Sequence, residues 1–378
     1  MKVTHLIQSL DPKDGGPPNV AACHAASLAS IGIDVALASL ANPNDKQDID
    51  SFLHGFPGMD RVETHPTLRG SVGTAKLKEL INETDVVHLH GVWGPVLPTA
   101  ARMARKANKP YIVTPHGMLN PWPLAQKKLK KQVAMLFRYR KMLLKASALH
   151  YLNTDEHNLS GKAIPTESGV VIPNGIFIEQ IDTAQASGLF RSSVPGLGDK
   201  PFLLYIGRLH HIKGIDYMMQ SFEELAKVNN EIAMVLLGPD GGMKKKLASW
   251  ITHRNYHQRV FLPGAVFGPM KHAALREAAC FLLPSRHEGF SIAILEALAN
   301  RCPVVISNEC HFPEIESAGA GYEIELDPKQ ISNALIDILS DGKRSIQMGA
   351  NGRDLVASRF TWPRIAEQLR ELYQRLIT

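Results

Sequence analysis

Short apolar runs alternate with longer amphipathic stretches along the first half of this 378-residue chain. The stretches 20–31 and 95–107 have the length and the spacing of apolar positions that predict helices. The runs that predict strands are residues 3–6, 35–39, 86–90, 111–115 and 149–153. Because strands that alternate with helices are typical of a parallel sheet with crossover helices, this half predicts an α/β unit.

The same alternation restarts after residues 176–200, a segment rich in small and turn residues that we interpret as the passage between two domains. The strand candidates beyond it are residues 202–206, 233–237, 260–262, 280–283 and 304–306. The helix candidates are residues 217–228, 244–254, 271–277, 292–299 and 331–339. The chain therefore predicts two successive α/β units, whose ligands are expected beyond the carboxyl ends of the strands.

The composition indicates a soluble globular protein, with 44% hydrophobic and 21% charged residues. No apolar run approaches the roughly 20 residues that span a bilayer, and residues 1–7 read as a strand rather than a signal peptide. We therefore expect a cytoplasmic protein. None of the four cysteines belongs to a C-x-x-C pair, which favours buried thiols. The net charge of +6 suits an anionic ligand, but no long Lys/Arg run indicates nucleic-acid binding.

Two cations are framed by glycines directly after the strand candidate 202–206. The loop reads Gly207-Arg208-Leu209-His210-His211-Ile212-Lys213-Gly214. Arginine offers a planar fork of donors and lysine a point charge, so Arg208 and Lys213 can converge on one diphosphate. The alternative is a solvated loop with two surface cations.

Two glutamates flank a predicted helix start after the strand candidate 280–283. Gly289 permits a turn and Ser291 is a candidate N-cap, which places Glu296 in the second helical turn and leaves Glu288 in the loop. N–H groups at a helix start attract phosphate, and carboxylates accept hydrogen bonds from sugar and ribose hydroxyls. The alternative is an ordinary capped helix with one surface glutamate.

Two weaker signals follow strands of the first half. The adjacent Gly15 and Gly16 allow the backbone to approach an anion closely at the start of the next helix, although an ordinary Gly-Pro turn is the alternative. His116, followed by Gly117, is an accessible polar group at a strand end, for which a structural role is the alternative.

Together these motifs resemble the signature of the family 4 retaining glycosyltransferases. Glu288 and Glu296 have that family's E-x7-E spacing, and the loop 207–214 is similar to its basic phosphate loop. The segment 116–117 resembles the histidine motif of its N-terminal domain, and 15–16 its first glycine loop. Residues 171–175, Val-Ile-Pro-Asn-Gly, look like the segment before the domain crossing. The resemblance covers nearly the whole chain and implies the GT-B architecture, an α/β fold of two Rossmann-like domains facing each other across a cleft.

The resemblance also implies a role for each matched residue. Arg208 and Lys213 would neutralise the donor diphosphate and stabilise it as the leaving group, since fixed cations stabilise charge that develops in the reaction. Glu288 would bind hydroxyls of the transferred sugar, Glu296 the nucleotide ribose, and His116 would lie near the reacting sugar. The implied catalytic residues are His116, Glu288, Arg208 and Lys213. The implied donor-binding residues are Gly16, Arg208, Lys213, Glu288, Gly289, Phe290, Ser291, Ile292 and Glu296.

The implied reaction moves a sugar, with retention of anomeric configuration, from a UDP- or GDP-sugar to a saccharide acceptor. The family resemblance favours a lipid-linked acceptor in polysaccharide or glycoconjugate biosynthesis, as in bacterial surface polysaccharide assembly. It implies front-face attack in which the leaving phosphate takes the proton of the acceptor. It implies no cofactor and no dedicated metal, and the chain has no D-x-D run.

The same resemblance implies the domain boundaries. Residues 1–175 would form the acceptor-side domain, and residues 176–361 the linker and the donor domain. The final segment, 362–378, would form a helix that crosses back onto the first domain. One residue departs from the pattern, because Arg301 stands where the family often has glycine after the E-x7-E helix.

The stretch 124–145 predicts a basic amphipathic helix. Its apolar face would carry Leu129, Val133, Leu136, Phe137, Leu143 and Leu144. Its basic face would carry Lys127, Lys131, Arg138, Lys141 and Lys145, with Arg140 interrupting the apolar stripe. Such a helix can lie on an anionic membrane, which would place the protein peripherally on the inner face of the cell membrane. The alternative is a helix packed on the core with a solvated basic face.

Four further residues are candidates for acceptor contact on loops that follow strands of the first half. They are His88, His90, Trp93 and Trp122. Their alternative role is packing or surface exposure without contact to a substrate.

Other functions share the coarse fold. A sugar-nucleotide epimerase would need acid/base carboxylates in both halves, and no such paired set is apparent. A phosphorylase would carry a pyridoxal cofactor and a much longer chain. A nicotinamide oxidoreductase would place G-x-G-x-x-G after the first strand, where this chain lacks it. A non-catalytic binding module would be expected to lose Glu288 or Lys213, and both are present.

Overall fold

In the computed structural model, which describes residues 1–126, 128–165, 168–183 and 188–378, the strands form two parallel sheets. The chain divides into two units by its internal contacts. Unit 1 comprises Met1–Gly175 and Trp362–Thr378, and unit 2 comprises Ile176–Thr361. The prediction of two successive α/β units with parallel sheets is confirmed.

Unit 1 contains a seven-stranded sheet. Its strands are β1 (Lys2–Ile7), β2 (Asp34–Ser39), β3 (Glu63–His65), β4 (Val86–His90), β5 (Tyr111–Thr114), β6 (Ala148–Tyr151) and β7 (Gly169–Val171), in the spatial order β3-β2-β1-β4-β5-β6-β7. Its first eight helices are α1 (Gly16–Ser30), α2 (Lys46–Leu53), α3 (Gly70–Glu83), α4 (Val96–Lys106), α5 (Pro121–Ala125), α6 (Lys128–Ala134), α7 (Arg140–Leu144) and α8 (Thr154–Gly161). The central strand β4 is buried along its whole length, as is typical of a parallel sheet covered on both faces.

Unit 2 contains a six-stranded sheet. Its strands are β8 (Phe202–Ile206), β9 (Ala233–Leu237), β10 (Val260–Gly264), β11 (Cys280–Leu283), β12 (Val304–Ser307) and β13 (Gly321–Ile324), in the spatial order β10-β9-β8-β11-β12-β13. Its helices are α9 (Ile178–Thr183), α10 (Leu189–Ser193), α11 (Ile215–Val228), α12 (Lys244–Arg254), α13 (Gly268–Glu277), α14 (Ile292–Ala299), α15 (Glu314–Ser317), α16 (Pro328–Ser340) and α17 (Gly342–Arg359). The last helix of the chain, α18 (Trp362–Ile377), belongs to unit 1 and packs against α1.

The strand order reverses once in each sheet. In unit 1, β1 lies between β2 and β4, and in unit 2, β8 lies between β9 and β11. At such a reversal the loops leaving two neighbouring strands run to opposite faces of the sheet and open a crevice at the carboxyl ends. The reversal in unit 2 brings together the loops after β8 and β11, which carry the two strongest motifs of the sequence.

Three strands escaped prediction from the sequence. β3 and β7 form the two edges of the first sheet, and β13 forms one edge of the second. Each is only three or four residues long and is at most partly buried along most of its length. An edge strand with so little burial does not need an apolar run, and therefore its sequence carries no strong signal.

The prediction of one continuous amphipathic helix over 124–145 is wrong. The described residues form α5, α6, a π-helical segment at Met135–Tyr139, and α7, while Lys127 lies outside the described residues. A π-helical turn contains an extra residue and shifts the phase of the side chains that follow. Packing on the core is also contradicted for most of the apolar face. The exposed fractions are 79% for Leu129, 58% for Val133, 67% for Leu136 and 82% for Phe137, whereas Leu143 is buried.

The cysteines Cys23, Cys280, Cys302 and Cys310 are buried free thiols, as predicted. Burial raises the pKa of the Cys302 and Cys310 thiols to about 12, so both are protonated at neutral pH. No helix among the described residues has the length and apolar character needed to cross a bilayer.

Candidate active site

The loops after β8 and β11 approach each other so closely that glycine is required. Gly214 has a φ of 70°, and a Cβ there would lie 1.7 Å from the carbonyl oxygen of Pro284 in the second loop. Gly238, after β9, has a φ of 145°, and a Cβ there would lie 1.9 Å from the carbonyl oxygen of Gly207. These positions exclude any larger residue. Three strand-end loops therefore converge at one corner of the unit 2 sheet.

Lys213 and Glu288 meet at this corner as an ion pair. The distance from Lys213 Nζ to Glu288 Oε1 is 2.6 Å, and the Ser285 hydroxyl donates to the same oxygen at 2.5 Å. Glu288 is only 7% exposed, and a carboxylate buried to this extent needs a charged or hydrogen-bonding partner. Lys213 remains partly exposed and can contact a ligand while it pairs with Glu288.

Arg208 lies in the same loop as Lys213 and is exposed to solvent. Its carbonyl oxygen accepts a hydrogen bond of 2.7 Å from the hydroxyl of Tyr205 on β8. The backbone of the loop is thereby tied to the strand, while the guanidinium is accessible to a ligand. The predicted convergence of Arg208 and Lys213 on a diphosphate remains a prediction.

The helix α14 begins where the sequence predicted, with Ser291 as its N-cap residue. The Ser291 side chain makes no capping hydrogen bond. The ring of Phe290 packs against the ring of Phe312 at a centroid distance of 5.5 Å, and this contact holds the residue before the N-cap in place. Gly289, Ser291 and Ile292 are all partly exposed, so the first turn of the helix faces solvent, where an anion could reach it.

Glu296 lies in the second turn of α14, as predicted, and pairs with a lysine that sequence reasoning missed. The distance from Lys271 Nζ, on α13, to Glu296 Oε1 is 2.5 Å. Both side chains are about one-fifth exposed. Nothing in the sequence distinguishes Lys271 from other helical lysines, because its role depends on the contact between α13 and α14.

After this same helix, Arg301 adopts a φ of 60°. This left-handed conformation is the one that glycine favours, and it explains why glycine is common at this position of the family. The arginine therefore keeps the turn despite the departure from the family pattern.

In unit 1, His116 lies two residues after the end of β5, in a left-handed conformation with a φ of 54°. Its Nε2 lies 3.1 Å from Nδ1 of His90, and the two rings stack at 5.4 Å. Burial lowers the pKa of the His116 imidazole to about 3, so the ring is neutral at physiological pH. A neutral ring can donate one hydrogen bond and accept another, but it carries no charge to offer a phosphate.

Glu156, which the sequence did not single out, fixes the turn at His116. Its Oε1 accepts a hydrogen bond of 2.5 Å from the N–H of Gly117, and its Oε2 accepts one of 2.7 Å from the N–H of Leu152. The side chain is fully buried. A glutamate three residues after the N-cap Asn153 is an ordinary capping signal, which is why it did not suggest a link to the distant His116 loop.

The predicted placement of His88 and His90 on a loop is wrong. Both lie within β4, and both are at most 1% exposed. The sequence Val-Val-His-Leu-His alternates between apolar and polar residues, a pattern typical of a strand with one solvent-exposed face. Here both faces of the strand are covered, so the histidines are buried. Neither ring is accessible to an acceptor in this structure.

The other acceptor candidates occupy different positions. Trp93 follows β4 and packs edge-on against Tyr139 at 5.4 Å, with Lys131 Nζ 5.4 Å from its ring centre. The predicted loop position of Trp122 is also wrong, because this residue lies in α5, where it is 42% exposed. Gly16 is the first residue of α1 and follows Gly15, whose φ of 99° only glycine adopts readily.

Two family models match the chain one after the other. The model described as "Glycosyl transferase 4-like domain" matches residues 15–175, and "Glycosyl transferases group 1" matches residues 190–355. Together the two glycosyltransferase models cover most of the chain, which is therefore a glycosyltransferase of the 4-like and group 1 type.

This glycosyltransferase is similar to several curated proteins. It is 26% identical over 183 residues to the alpha-D-kanosaminyltransferase of Streptomyces kanamyceticus, a match that covers 48% of this chain and 47% of that enzyme. The match thus spans about half the length of that relative. It is 25% identical over 359 residues to the GDP-mannose:cellobiosyl-diphosphopolyprenol alpha-mannosyltransferase of Xanthomonas campestris, covering 90% of this chain and 87% of that one.

Among solved structures, HepE of Anabaena in complex with UDP aligns with 99% of this chain and 100% of that chain. The TM-score is 0.79 at 21% sequence identity. A likeness at this level of identity concerns the fold, which is that of the GT-B glycosyltransferases.

Proposed function

We propose that this protein transfers a sugar from a UDP- or GDP-sugar to a lipid-linked saccharide, with retention of anomeric configuration, in the assembly of a polysaccharide or glycoconjugate. The observation that carries the proposal is the corner of unit 2 where Lys213 pairs with Glu288 beside the start of α14. A cation, a carboxylate and a helix N-terminus at one strand-end crevice suit a diphosphate linked to a sugar.

The chemistry follows from the charges at that corner. When the bond between sugar and diphosphate breaks, negative charge grows on the leaving phosphate, and Lys213, Arg208 and the N–H groups of α14 stabilise it. Glu288, held by Lys213 and Ser285, accepts hydrogen bonds from hydroxyls of the transferred sugar. Glu296, held by Lys271, does the same for the ribose. We propose that these groups suffice for the donor without a metal ion or another cofactor.

We propose that His116, in unit 1, acts as a neutral hydrogen-bonding group for the transferred sugar, which is the role that the family resemblance implies. Since its pKa is about 3, it stays uncharged throughout the pH range in which the enzyme would work. Its turn is held by Glu156, and its ring by His90.

A lipid-linked acceptor and a peripheral membrane position are supported by the surface around α5, α6 and α7. The apolar side chains Leu129, Leu136 and Phe137 stand exposed among Lys130, Arg138 and other cations. A surface cavity of about 510 Å³ lies in the same region, lined by both kinds of residue. Its lining includes Leu124, Lys128, Lys131, Met135, Leu136 and Arg140. Exposed apolar groups with flanking cations fit an anionic membrane surface and the diphosphate-lipid acceptor that it holds.

A thermal-shift screen of the purified protein against UDP, GDP, ADP, TDP and NAD tests the donor site. A ligand that binds only the folded state raises the melting temperature, by the equivalent of about 2.7 kcal/mol at a hundredfold excess over Kd. We expect UDP or GDP to raise it in the wild type and not in Lys213→Ala. The matched control is Lys227→Ala, which removes an exposed lysine from an ion pair of 2.7 Å with Glu224 and should leave the shift intact.

A shift with NAD alone, or an equal UDP or GDP shift in Lys213→Ala, would contradict the proposed site. The nucleotide identified in this way then defines the donor series for a transfer assay with a polyprenyl-diphosphate saccharide. The anomeric configuration of the product, read by NMR, tests retention.

A further inference from the structure

Four buried histidines meet on one face of the unit 1 sheet. His5 lies in β1 and His88 in β4, and the parallel pairing of these strands sets the two residues opposite each other. Residues two apart in a strand point to the same face, so His90 lies beside His88. His24 reaches the same place from α1. All four side chains are at most 1% exposed.

The four rings are close enough to share a ligand. One nitrogen of each ring lies within 4.8 Å of the corresponding nitrogen of every other ring. In a tetrahedral zinc site with Zn–N distances of about 2.0–2.1 Å, the ligand nitrogens are about 3.3 Å apart. Binding of an ion would therefore require the rings to move closer together by about an ångström or more.

Three ring nitrogens of this cluster have no hydrogen-bond partner among the described residues. They are Nε2 of His5 and both nitrogens of His24. A buried polar atom without a partner is rare in folded proteins and indicates a ligand, an ion or a water molecule that satisfies it. His24 is the clearest case, because neither of its ring nitrogens has a hydrogen-bond partner among the described residues and its ring lies against those of His88 and His90.

The outer contacts of His88 and His90 match what metal-binding histidines need. Nδ1 of His88 lies 2.7 Å from the hydroxyl of Tyr373, and its Nε2 lies 2.6 Å from the hydroxyl of Thr114. Nδ1 of His90 lies 3.1 Å from His116. Each ring can therefore bind an ion with one nitrogen and keep a partner on the other, which orients the ligand, although His88 would give up one of its two contacts. His90 would exchange its 2.8 Å contact with His5 Nδ1 for the ion.

We propose that His5, His24, His88 and His90 bind one divalent transition-metal ion. An all-imidazole set suits Zn²⁺, Cu²⁺, Ni²⁺ or Fe²⁺, with Zn²⁺ the best fit to a closed tetrahedral site. Mg²⁺ and Ca²⁺ prefer oxygen ligands and do not suit it. The ion would tie α1, which begins at the donor candidate Gly16, to the central strands β1 and β4.

The proposed ion is structural. It lies in unit 1, whereas the expectation that no metal is required concerns the donor diphosphate at the unit 2 site. It does revise the sequence-based expectation of a chain without any metal site. The inference does not rest on the proposed transferase function, since metal content and stability can be measured without a substrate.

The test measures metal in the untagged full-length protein, purified from zinc-supplemented cells and dialysed against metal-free buffer. We expect one zinc ion per chain in the wild type and a loss of at least about tenfold in His24→Leu, which replaces a ligand with an apolar residue that favours helices. His253→Leu is the control, because His253 is exposed in α12 and should leave the content unchanged. Replacement by Co²⁺ should give the visible absorption of a tetrahedral nitrogen site.

If His24→Leu misfolded, its loss of zinc would not be informative, and two further measurements therefore address that case. His5→Gln keeps a polar side chain of similar size but lacks the imidazole ligand, and it should also lose the zinc. Removal of the metal by a chelator should lower the melting temperature of the wild type and not that of either variant. Wild-type protein with no more zinc than His24→Leu, or with a melting temperature that the chelator does not change, would overturn the proposal and leave the cluster as a hydrogen-bonded core.

Discussion

At the scale of single residues, the candidate site is built from charges that hold each other in place. Lys213 and Glu288 are 75 positions apart in the sequence and 2.6 Å apart in space, and Lys271 and Glu296 repeat this arrangement at 2.5 Å. Each glutamate is oriented by a lysine before any substrate arrives. A carboxylate fixed in this way accepts sugar hydroxyls without first having to be reorganised.

Replacement of Glu288 by alanine should separate binding from transfer. The change removes the acceptor for sugar hydroxyls but leaves Lys213 free for the diphosphate. We expect transfer to fall by roughly 100-fold or more, while the Kd for UDP or GDP changes by less than about threefold. Steady-state kinetics and calorimetric titration measure the two effects.

The matched control for this prediction is Glu224→Ala, which breaks the exposed pair with Lys227 in the same unit and should change neither quantity. If Glu288→Ala abolished nucleotide binding while Glu224→Ala did not, the roles assigned to Glu288 and Glu296 would be wrong.

The buried Glu156 should make stability depend on pH. Burial raises the pKa of its carboxyl from 4.5 to about 7, although hydrogen bonds from the N–H groups of Leu152 and Gly117 offset part of this rise. Between these values the folded state retains a proton that the unfolded state has lost. The free energy of unfolding contributed by this group is therefore greatest below pH 4.5, falls as the pH rises to about 7, and is constant above, a change of about 3 kcal/mol.

Urea unfolding of the wild type and Glu156→Gln at pH 5 and pH 8 measures this contribution. The variant is expected to be less stable overall, because an amide cannot accept hydrogen bonds on both sides. Its stability should nevertheless change less between the two pH values than that of the wild type. Equal changes in both proteins would show that Glu156 does not titrate in this range.

At the scale of elements, the start of one helix and the interruption of another determine where the candidate functional residues lie. The helix α14 begins at Ile292. The loop before it, which contains Pro284, can lie close to the loop after β8 only because residue 214 is a glycine. In contrast, the π-helical segment Met135–Tyr139 interrupts the basic helical region and leaves Leu136 and Phe137 pointing away from the core. Irregularities of this kind occur often at functional sites.

The exposed apolar residues of that region should bind anionic membranes. Replacement of both Leu136 and Phe137 by serine removes side chains that are 67% and 82% exposed, so stability should stay within about 0.5 kcal/mol of the wild type. Flotation with vesicles containing an anionic lipid should fall several-fold. The control is Phe267→Ser, which removes a phenylalanine that is 79% exposed in unit 2. Flotation that is unaffected by the double change, or that is equal with neutral vesicles, would contradict the membrane proposal.

At the scale of the whole molecule, the C-terminal segment of the chain packs into the same unit as the N-terminal segment. Unit 1 is closed by α18, whose Trp362 packs edge-on against His24 at 5.3 Å and whose Tyr373 hydrogen-bonds to His88. The last 17 residues thus belong to the core formed by the first 175. The assignment of the C-terminal helix to the first domain, which the sequence suggested only through the family resemblance, agrees with this division of contacts.

Damage to α18 should therefore destabilise unit 1 rather than the unit that precedes it in the sequence. Leu369 is fully buried, and Leu369→Ala should cost about 2–5 kcal/mol. Hydrogen exchange should show the lost protection in β1 and β4, and not in β8 and β11. The control Ile346→Ala truncates a residue that is 76% exposed and should have little effect. Loss of protection in β8 instead would mean that α18 supports unit 2.

The sequence by itself determined the two α/β units and most of the elements that carry the candidate site. Strands such as Tyr111–Thr114 and Cys280–Leu283 are apolar-rich segments buried along their whole length, and the residues of α14 were predicted without error. These features depend on local patterns of apolar residues, glycines and caps, which neighbouring residues specify directly. The family was indicated by five motifs in order along the chain, from the glycines at 15–16 to the pair Glu288 and Glu296.

Only the tertiary structure decided which of these residues act together. The partners Lys271 and Glu156 lie on elements that are remote in sequence from Glu296 and Gly117, and the order of strands brings them into contact. The burial of His88 and His90, and their meeting with His5 and His24, likewise depends on the pairing of β1 with β4 beneath α1. Side-chain chemistry depends on burial and on partners, and both are properties of packing between distant segments rather than of any local pattern.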